Sequence, residues 1–235
     1  MARAEPVPAA WWRAMPGVDR KLWLKRKEEL RERLLADLHI GYLDSDILDV
    51  LLMFFERRES FTISSCSGRV VVVDAPLPWV RRESTVIFKK HEPVEVDELE
   101  EVLKQSAVHT LWLVVTGPII HVSVASLREA VTILRIAREV GMKHSGILSL
   151  SRKGIVVELK TGVRIAVPLK RGDTILVRVE KLRELTELTN NALLEGKKKL
   201  EKLRDALSKE LKRVSTGRQN RSSTRDGAFS SPQNP

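Results

Sequence analysis

Val70 to Val73 are four consecutive valines, and a β-branched run of that length reads only as a buried strand. The stretch leading into it, Phe61-Thr62-Ile63-Ser64-Ser65-Cys66-Ser67-Gly68-Arg69, starts as another strand and then becomes small side chains, a glycine and an arginine. A small polar turn between two strands lets backbone N–H groups come close to a ligand. Gly68 admits positive φ there, and Arg69 offers a planar fork suited to a carboxylate or a phosphate. This is the build of an anion or polar-ligand loop. Chemistry alone allows equally a serine-rich hairpin turn whose hydroxyls cap their own backbone.

Before this stretch, Leu22, Leu30, Leu34 and Leu38 fall at near-helical spacing, predicting a helix over 19–38 that Gly41 stops. Asp44 or Ser45 is placed to cap a second helix to about Arg58, with Ile47, Leu48, Leu51, Leu52 and Phe55 on its apolar face. After the valines, Pro76 and Pro78 mark a loop, 85–89 alternates as a strand ending at His91, and 97–106 reads as a short acidic helix. Apolar strands at 110–115 and 119–125 are separated by Gly117-Pro118. Ser126 and Glu129 have capping-box spacing and open a helix to about Val140. Strands at 146–151, 155–159 and 164–169 follow, joined by Arg152-Lys153-Gly154 and Thr161-Gly162-Val163, which suit hairpins. A long helix runs from Glu180 to about Leu211 with Leu182, Leu185, Leu188, Ala192, Leu200, Leu203 and Leu207 on one side.

Strands and helices alternate irregularly and several strands are hairpin-linked. That predicts the α+β class: a single domain with a mixed, largely antiparallel sheet, flanking helices and a long C-terminal helix. Residues 1–18 read as an irregular leader whose Trp11 and Trp12 dock on the body in preference to stacking on a base, 19–211 as the one catalytic domain, and 212–235 as a basic disordered tail.

No apolar stretch reaches the ~18 residues of a membrane span, and no apolar segment of a secretory signal follows Met1. The one cysteine, Cys66, excludes an intramolecular disulfide and fits a reducing compartment, so a cytoplasmic protein is expected. The net charge of +10 is uneven: residues 1–40 carry nine basic and six acidic side chains, 197–235 eleven and four, and 41–196 carry 21 of each. Basic ends around a neutral centre suggest a polyanion held at the edges of a site. The candidates for phosphate contact are Arg20, Lys21, Lys25 and Lys27 near the start and Lys197, Lys198, Lys199 and Lys202 near the end. The competing reading of the lysine run is a solvated helix face.

The histidines, His39, His91, His109, His121 and His144, show no metal-ligand spacing, and no metal is expected. No Gly-x-Gly-x-x-Gly follows an early strand and no Walker motif is present. His121, in an apolar strand, reads either as a satisfied core histidine or as a site residue, and His91 either as an ordinary exposed histidine or as a site residue. Cys66 reads as a packed small side chain rather than as the nucleophile of a cysteine hydrolase.

Thr62 to Arg69 is similar to the signature of the wybutosine-synthesis methyltransferases, the third enzyme of the tRNA wybutosine pathway. Asp44 before an apolar helix, Pro118-Ile119-Ile120-His121-Val122, and Gly141-Met142-Lys143-His144-Ser145-Gly146-Ile147 resemble further motifs of that family and come in its order. The likeness spans roughly 44–207, and an archaeal source is expected; Gly117 departs from the acidic residue or serine common there. The resemblance implies methyl transfer from S-adenosylmethionine to N-4 of a wyosine-type tricyclic base at position 37 of tRNA(Phe), with neither a membrane nor an obligate protein partner. The alternative is a non-catalytic RNA-binding module that holds a modified base. On this resemblance His91 and His121 are the catalytic candidates, a general base being worth ~10²–10⁴-fold. Ser64, Ser65, Gly68, Arg69, Ser145 and Gly146 are the cofactor-binding candidates. Phe61, Trp79 and Trp112 are the candidates for stacking on a base.

Overall fold

The computed structural model describes residues 17–226; Trp11 and Trp12, expected to dock on the body, lie outside them. In chain order the elements are α1 (Arg20–His39), a 3-10 turn (Ser45–Ile47), α2 (Leu48–Glu56), β1 (Ser60–Cys66), β2 (Arg69–Ala75), β3 (Thr85–Lys90) and α3 (Val96–Lys104). They continue with β4 (Thr110–Thr116), β5 (Ile119–Val124), α4 (Leu127–Glu139), β6 (Gly146–Ser151), β7 (Gly154–Lys160), β8 (Arg164–Arg171), β9 (Thr174–Ile175) and α5 (Leu182–Asp226).

The α+β class and the long last helix are as expected, but the strands divide between two sheets, each wholly antiparallel. One has the order β1-β5-β7-β6 and the other β3-β2-β4-β8-β9. Three strand pairs cross between them: β1 runs into β2 through Ser67-Gly68, β4 into β5 through Gly117-Pro118, and β7 into β8 through Thr161-Gly162-Val163. The hairpin expected at Thr161–Val163 is therefore a crossing, whereas Arg152-Lys153 does close the β6–β7 hairpin. The row Cys66–Ile119–Lys160 ends one sheet and the row Arg69–Thr116–Arg164 begins the other, so the crossings form one seam.

Only glycine fits where the seam is tightest. A Cβ on Gly117 would stand 2.1 Å from Thr161 Oγ1, and one on Gly68, at φ +106°, would meet the Thr116 carbonyl at 3.1 Å. Helix α5 crosses the seam at Gly196, where a Cβ would lie 3.0 Å from both Gly117 Cα and Pro118 Cδ.

That crossing lets one helix serve two cores. Leu193 packs with Val70, Val72, Leu99 and Leu113 under the second sheet, while Leu200, Leu203 and Leu207 join Ile120, Val122, Leu159 and Phe54 under the first. Both cores thus lie on the α5 side of the bent ribbon. Side chains alternate along a strand, so His121, Glu158, Arg69, Lys89, Trp112 and Arg164, each one step from these core residues, face the other side. There α1 covers only the far end of the first sheet, where the Trp23 ring packs at a tilt 4.8 Å from Phe61 and donates to Ser123 Oγ at 3.0 Å. Phe61 is wholly buried in that contact and cannot stack on a base.

The helix starts show which polar side chains remain for chemistry. Asp19 caps α1 through Leu22 N, and Ser126 caps α4 through Glu129 N, but the Glu129 carboxylate turns to Arg57 instead of closing the expected box. Asp44 caps nothing: α2 begins at Leu48 after the 3-10 turn, and the carboxylate points into the β1–β2 crossing. Helix α5 continues to Asp226, past the end near Leu211 that its leucines predict, because each added residue extends an existing hydrogen-bonded ladder.

Candidate active site

The signature stretch places its side chains in two clusters, one on each histidine expected at the site. Ser64 lies opposite His121 across β1 and β5, and Glu158 lies opposite His121 across β5 and β7. Ser64 Oγ is 2.8 Å from His121 Nδ1, and His121 Nε2 is 3.3 Å from Glu158 Oε1. A register shift between Thr62 and Ser64 turns the serine onto this face. Gly146 continues the row beyond Glu158, and the space where its Cβ would be is open. Sequence reasoning missed Glu158; the signal was an acid inside an otherwise apolar strand, Ile155 to Leu159.

The second cluster stands on the β1 side of the seam. His91 Nδ1 is 3.0 Å from Asp44 Oδ2 and 3.9 Å from Cys66 Sγ. The same Asp44 oxygen accepts from Ser67 N at 3.2 Å and Ser67 Oγ at 2.9 Å, fixing the loop. Burial pushes the Cys66 thiol above its ordinary value, against a smaller opposing pull from the Gly68 N–H and Arg69. A protonated thiol sharing one ring nitrogen with a carboxylate is not the arrangement of a cysteine–histidine nucleophile. The Asp44, Cys66 and His91 donor atoms lie within 4.8 Å of one another, a grouping that spacing along the chain did not reveal because it joins three separate elements. Their mutual hydrogen bonds satisfy them as they stand.

Arg69 follows the loop on the same side of the ribbon, exposed and with no acidic partner among the described residues. It adds positive potential at Cys66, which places it beside the second cluster. Ser65, half-buried opposite the core residue Ile120, alternates to the α5 side of the ribbon, away from His121. Ser145 is otherwise: its buried hydroxyl donates to Met142 O at 2.7 Å and accepts from Lys160 N at 3.0 Å, so it holds a turn and is not free to meet a cofactor.

The basic residues expected to meet RNA are dispersed. Lys27 is 8% exposed, donates to Arg57 O and lies 5.8 Å from the Trp23 ring centroid, and burial lowers its pKa; it reaches no phosphate, which corrects the expectation. Arg20 pairs with Glu59, Lys25 with Glu29, Lys197 with Asp46 and Lys199 with Glu195. Lys21, Lys198 and Lys202 are exposed. The four α5 lysines belong to the helix side of the ribbon. A cleft of 880 Å³ at the Ser60 end of β1 lies away from both histidines, and its Arg57–Glu129, Glu59–Ser126 and Arg213–Glu210 contacts already satisfy one another.

The model of the family described as Methyltransferase TYW3 matches residues 25–209. A Saccharolobus solfataricus protein named tRNA(Phe) 7-((3-amino-3-carboxypropyl)-4-demethylwyosine(37)-N(4))-methyltransferase is 44% identical over 188 residues, covering 80% of this chain and 90% of its own. A Thermococcus sibiricus protein of the same name is 33% identical over 184 residues, covering 78% and 93%. Among solved structures, a Pyrococcus horikoshii protein superposes with a TM-score of 0.74 at 31% identity, covering 80% of this chain and 96% of its own. A hypothetical protein from Aeropyrum pernix gives 0.64 at 30% identity, covering 71% and 98%.

Proposed function

The chain belongs to the TYW3 methyltransferase family, and from that premise we propose that it is a tRNA methyltransferase acting on N-4 of a wyosine-type tricyclic base at position 37 of tRNA(Phe). In this reading S-adenosylmethionine is the donor, supplying an electrophilic methyl group on a sulfonium. The residues fit such a group: an exposed guanidinium at Arg69, unpaired among the described residues, suits its α-carboxylate, and Gly146 leaves room beside the Ser64–His121–Glu158 row. Positioning of donor and acceptor supplies most of the effect, ~7–11 kcal/mol.

The observation that carries the assignment is that Ser64 and Glu158 occupy the two ring nitrogens of His121. Glu158 accepts from Nε2–H, which leaves Nδ1 to accept from the Ser64 hydroxyl. Ser64 Oγ takes the proton that N-4 must lose as its own moves to His121, a general-base step worth ~10²–10⁴-fold. His91, its Nδ1 turned to Asp44, would offer Nε2 as an acceptor to the ammonium of the donor's amino-acid end, and Arg69 would hold its carboxylate. Gly68 brings main chain close. The exposed cations of α1, Lys21 and Lys25, add positive potential that draws the polyanion toward the protein.

Mass spectrometry of precursor tRNA(Phe) incubated with the protein and S-adenosylmethionine tests the reading. A gain of one methyl group on the tricyclic nucleoside is expected; an unchanged nucleoside refutes it.

A further inference from the structure

The lysines of α5 lie on one side of the bent ribbon, and His121 and Ser64 lie on the other. RNA seated on α5 would have the sheets between it and the reacting groups. The side that carries His121 continues across the seam onto the face of the second sheet that is helix-free among the described residues. Its successive rows read Arg69–Thr116–Arg164, then Lys89–Val71–Val114–Ala166, then Val86–Val73–Trp112–Pro168. The row Arg69–Thr116–Arg164 adjoins Cys66–Ile119–Lys160 at the seam, and Lys89 and Arg69 both add positive potential at Cys66, so this face adjoins the site.

At its far end the β2–β3 loop holds out Trp79, 66% exposed, with Arg81 and Arg82 beside it. Its indole offers a flat face on which an unpaired base can stack. Lys89, Arg164, Arg81 and Arg82 are all exposed, and none forms an ion pair among the described residues, whereas Lys197 and Lys199 of α5 are paired. Arg69 to Ala75 spans roughly 20 Å, the rise of about six stacked nucleotides at ~3.4 Å each. Unpaired cations along the sheet with the exposed Trp79 ring at one end offer what a single RNA strand requires: phosphates on the cations and a base on the ring.

We propose that the helix-free face of the second sheet is the RNA seat, with Lys89, Arg164, Arg81 and Arg82 holding backbone phosphates and Trp79 stacking on an unpaired base, while α5 contributes no direct contact. This rests on the tRNA reading above and adds the surface to it.

The test measures binding of unmodified tRNA(Phe) transcript at several salt concentrations, with S-adenosylmethionine calorimetry on every variant. The quadruple variant K89A/R164A/R81A/R82A is expected to lose at least ~100-fold in affinity and to flatten the log–log salt slope by about 3. Trp79→Ala alone is expected to lose roughly 5- to 100-fold with the slope unchanged. K198A/K202A is expected to bind tRNA as the wild type does, and all variants to bind the cofactor alike, which shows them folded. A quadruple variant that keeps wild-type affinity, or a collapse confined to K198A/K202A, overturns the proposal and leaves the tRNA reading standing. Wild-type protein that binds no tRNA overturns both.

Discussion

The Ser64 hydroxyl oxygen sits 2.8 Å from His121 Nδ1, across two strands whose pairing fixes both side chains on one face of the first sheet. The other ring nitrogen meets Glu158 at 3.3 Å, so the imidazole is held at both ends. A carboxylate at Nε2 selects the tautomer that leaves Nδ1 basic.

Removing the imidazole should cost the general-base contribution. His121→Ala is expected to lower kcat by about 10²–10⁴-fold with little change in cofactor binding. Glu158→Gln keeps the shape but loses the charge, so a smaller drop is expected together with a shifted pH profile of kcat. Single-turnover rates across pH check both; a wild-type profile in Glu158→Gln would show that the carboxylate only packs there.

Cys66 should be chemically quiet. Its folded-state pKa is raised by burial, so at neutral pH the thiol is protonated and alkylates slowly; the rate should climb only as pH passes the ordinary thiol range. The linkage has the same sign. Stability attached to the neutral thiol is fully present below the unfolded-state value and is lost as pH rises through the folded-state value. Denaturant unfolding of the wild type and Cys66→Ala from pH 7 to 10 should show the wild type losing stability faster. Cys66→Ala is expected to retain methylation, whereas Asp44→Asn, which weakens the anchor of Ser67 and His91, should cost about 1–3 kcal/mol.

The helices and all strands but the two-residue β9 were readable because apolar runs mark them, and the Ser64–Arg69 stretch was readable because so many small residues rarely fall between two strands. Partnership between strands was not. The turn at Thr161-Gly162-Val163 is short enough for a hairpin, and only the packing of Gly117 against Thr161 shows that it changes sheets. Glu158 escaped notice because its partner, His121, is 37 residues away. Lys27 is a different failure. Trp23, Lys27, Leu30 and Leu34 fall on one helical stripe that packs toward the core, so the burial of Lys27 was present in the spacing and was masked by its charge.

For Lys27 the consequence is measurable. Its lowered pKa means that the unfolded chain holds the proton more tightly than the folded one. Stability should therefore rise as pH climbs into the lysine range, and Lys27→Met should abolish that increment. The variant should bind tRNA with unchanged affinity and salt slope, since the ammonium already meets the Arg57 carbonyl. A reduced salt slope in Lys27→Met would return this residue to the RNA interface.

Gly196 sets local preference against tertiary contact. In the interior of α5 an alanine would gain ~1 kcal/mol of helix propensity. Its Cβ, however, would stand 3.0 Å from Gly117 Cα and from Pro118 Cδ, neither of which is the free end of a flexible side chain. Pushing α5 off the seam disturbs Leu193 in one core and Leu200 in the other, an overpacking that costs about 1–3 kcal/mol. The contact should win: Gly196→Ala is expected to be destabilised by about 1 kcal/mol net, a fall in Tm of about 2–4 °C for a chain of this size. Gly117→Ala, with Thr161 Oγ1 only 2.1 Å from the added carbon, should fall further. Calorimetry of the two variants decides it. A Tm raised by Gly196→Ala would mean that helix propensity governs α5 and that the two sheets do not depend on its close crossing.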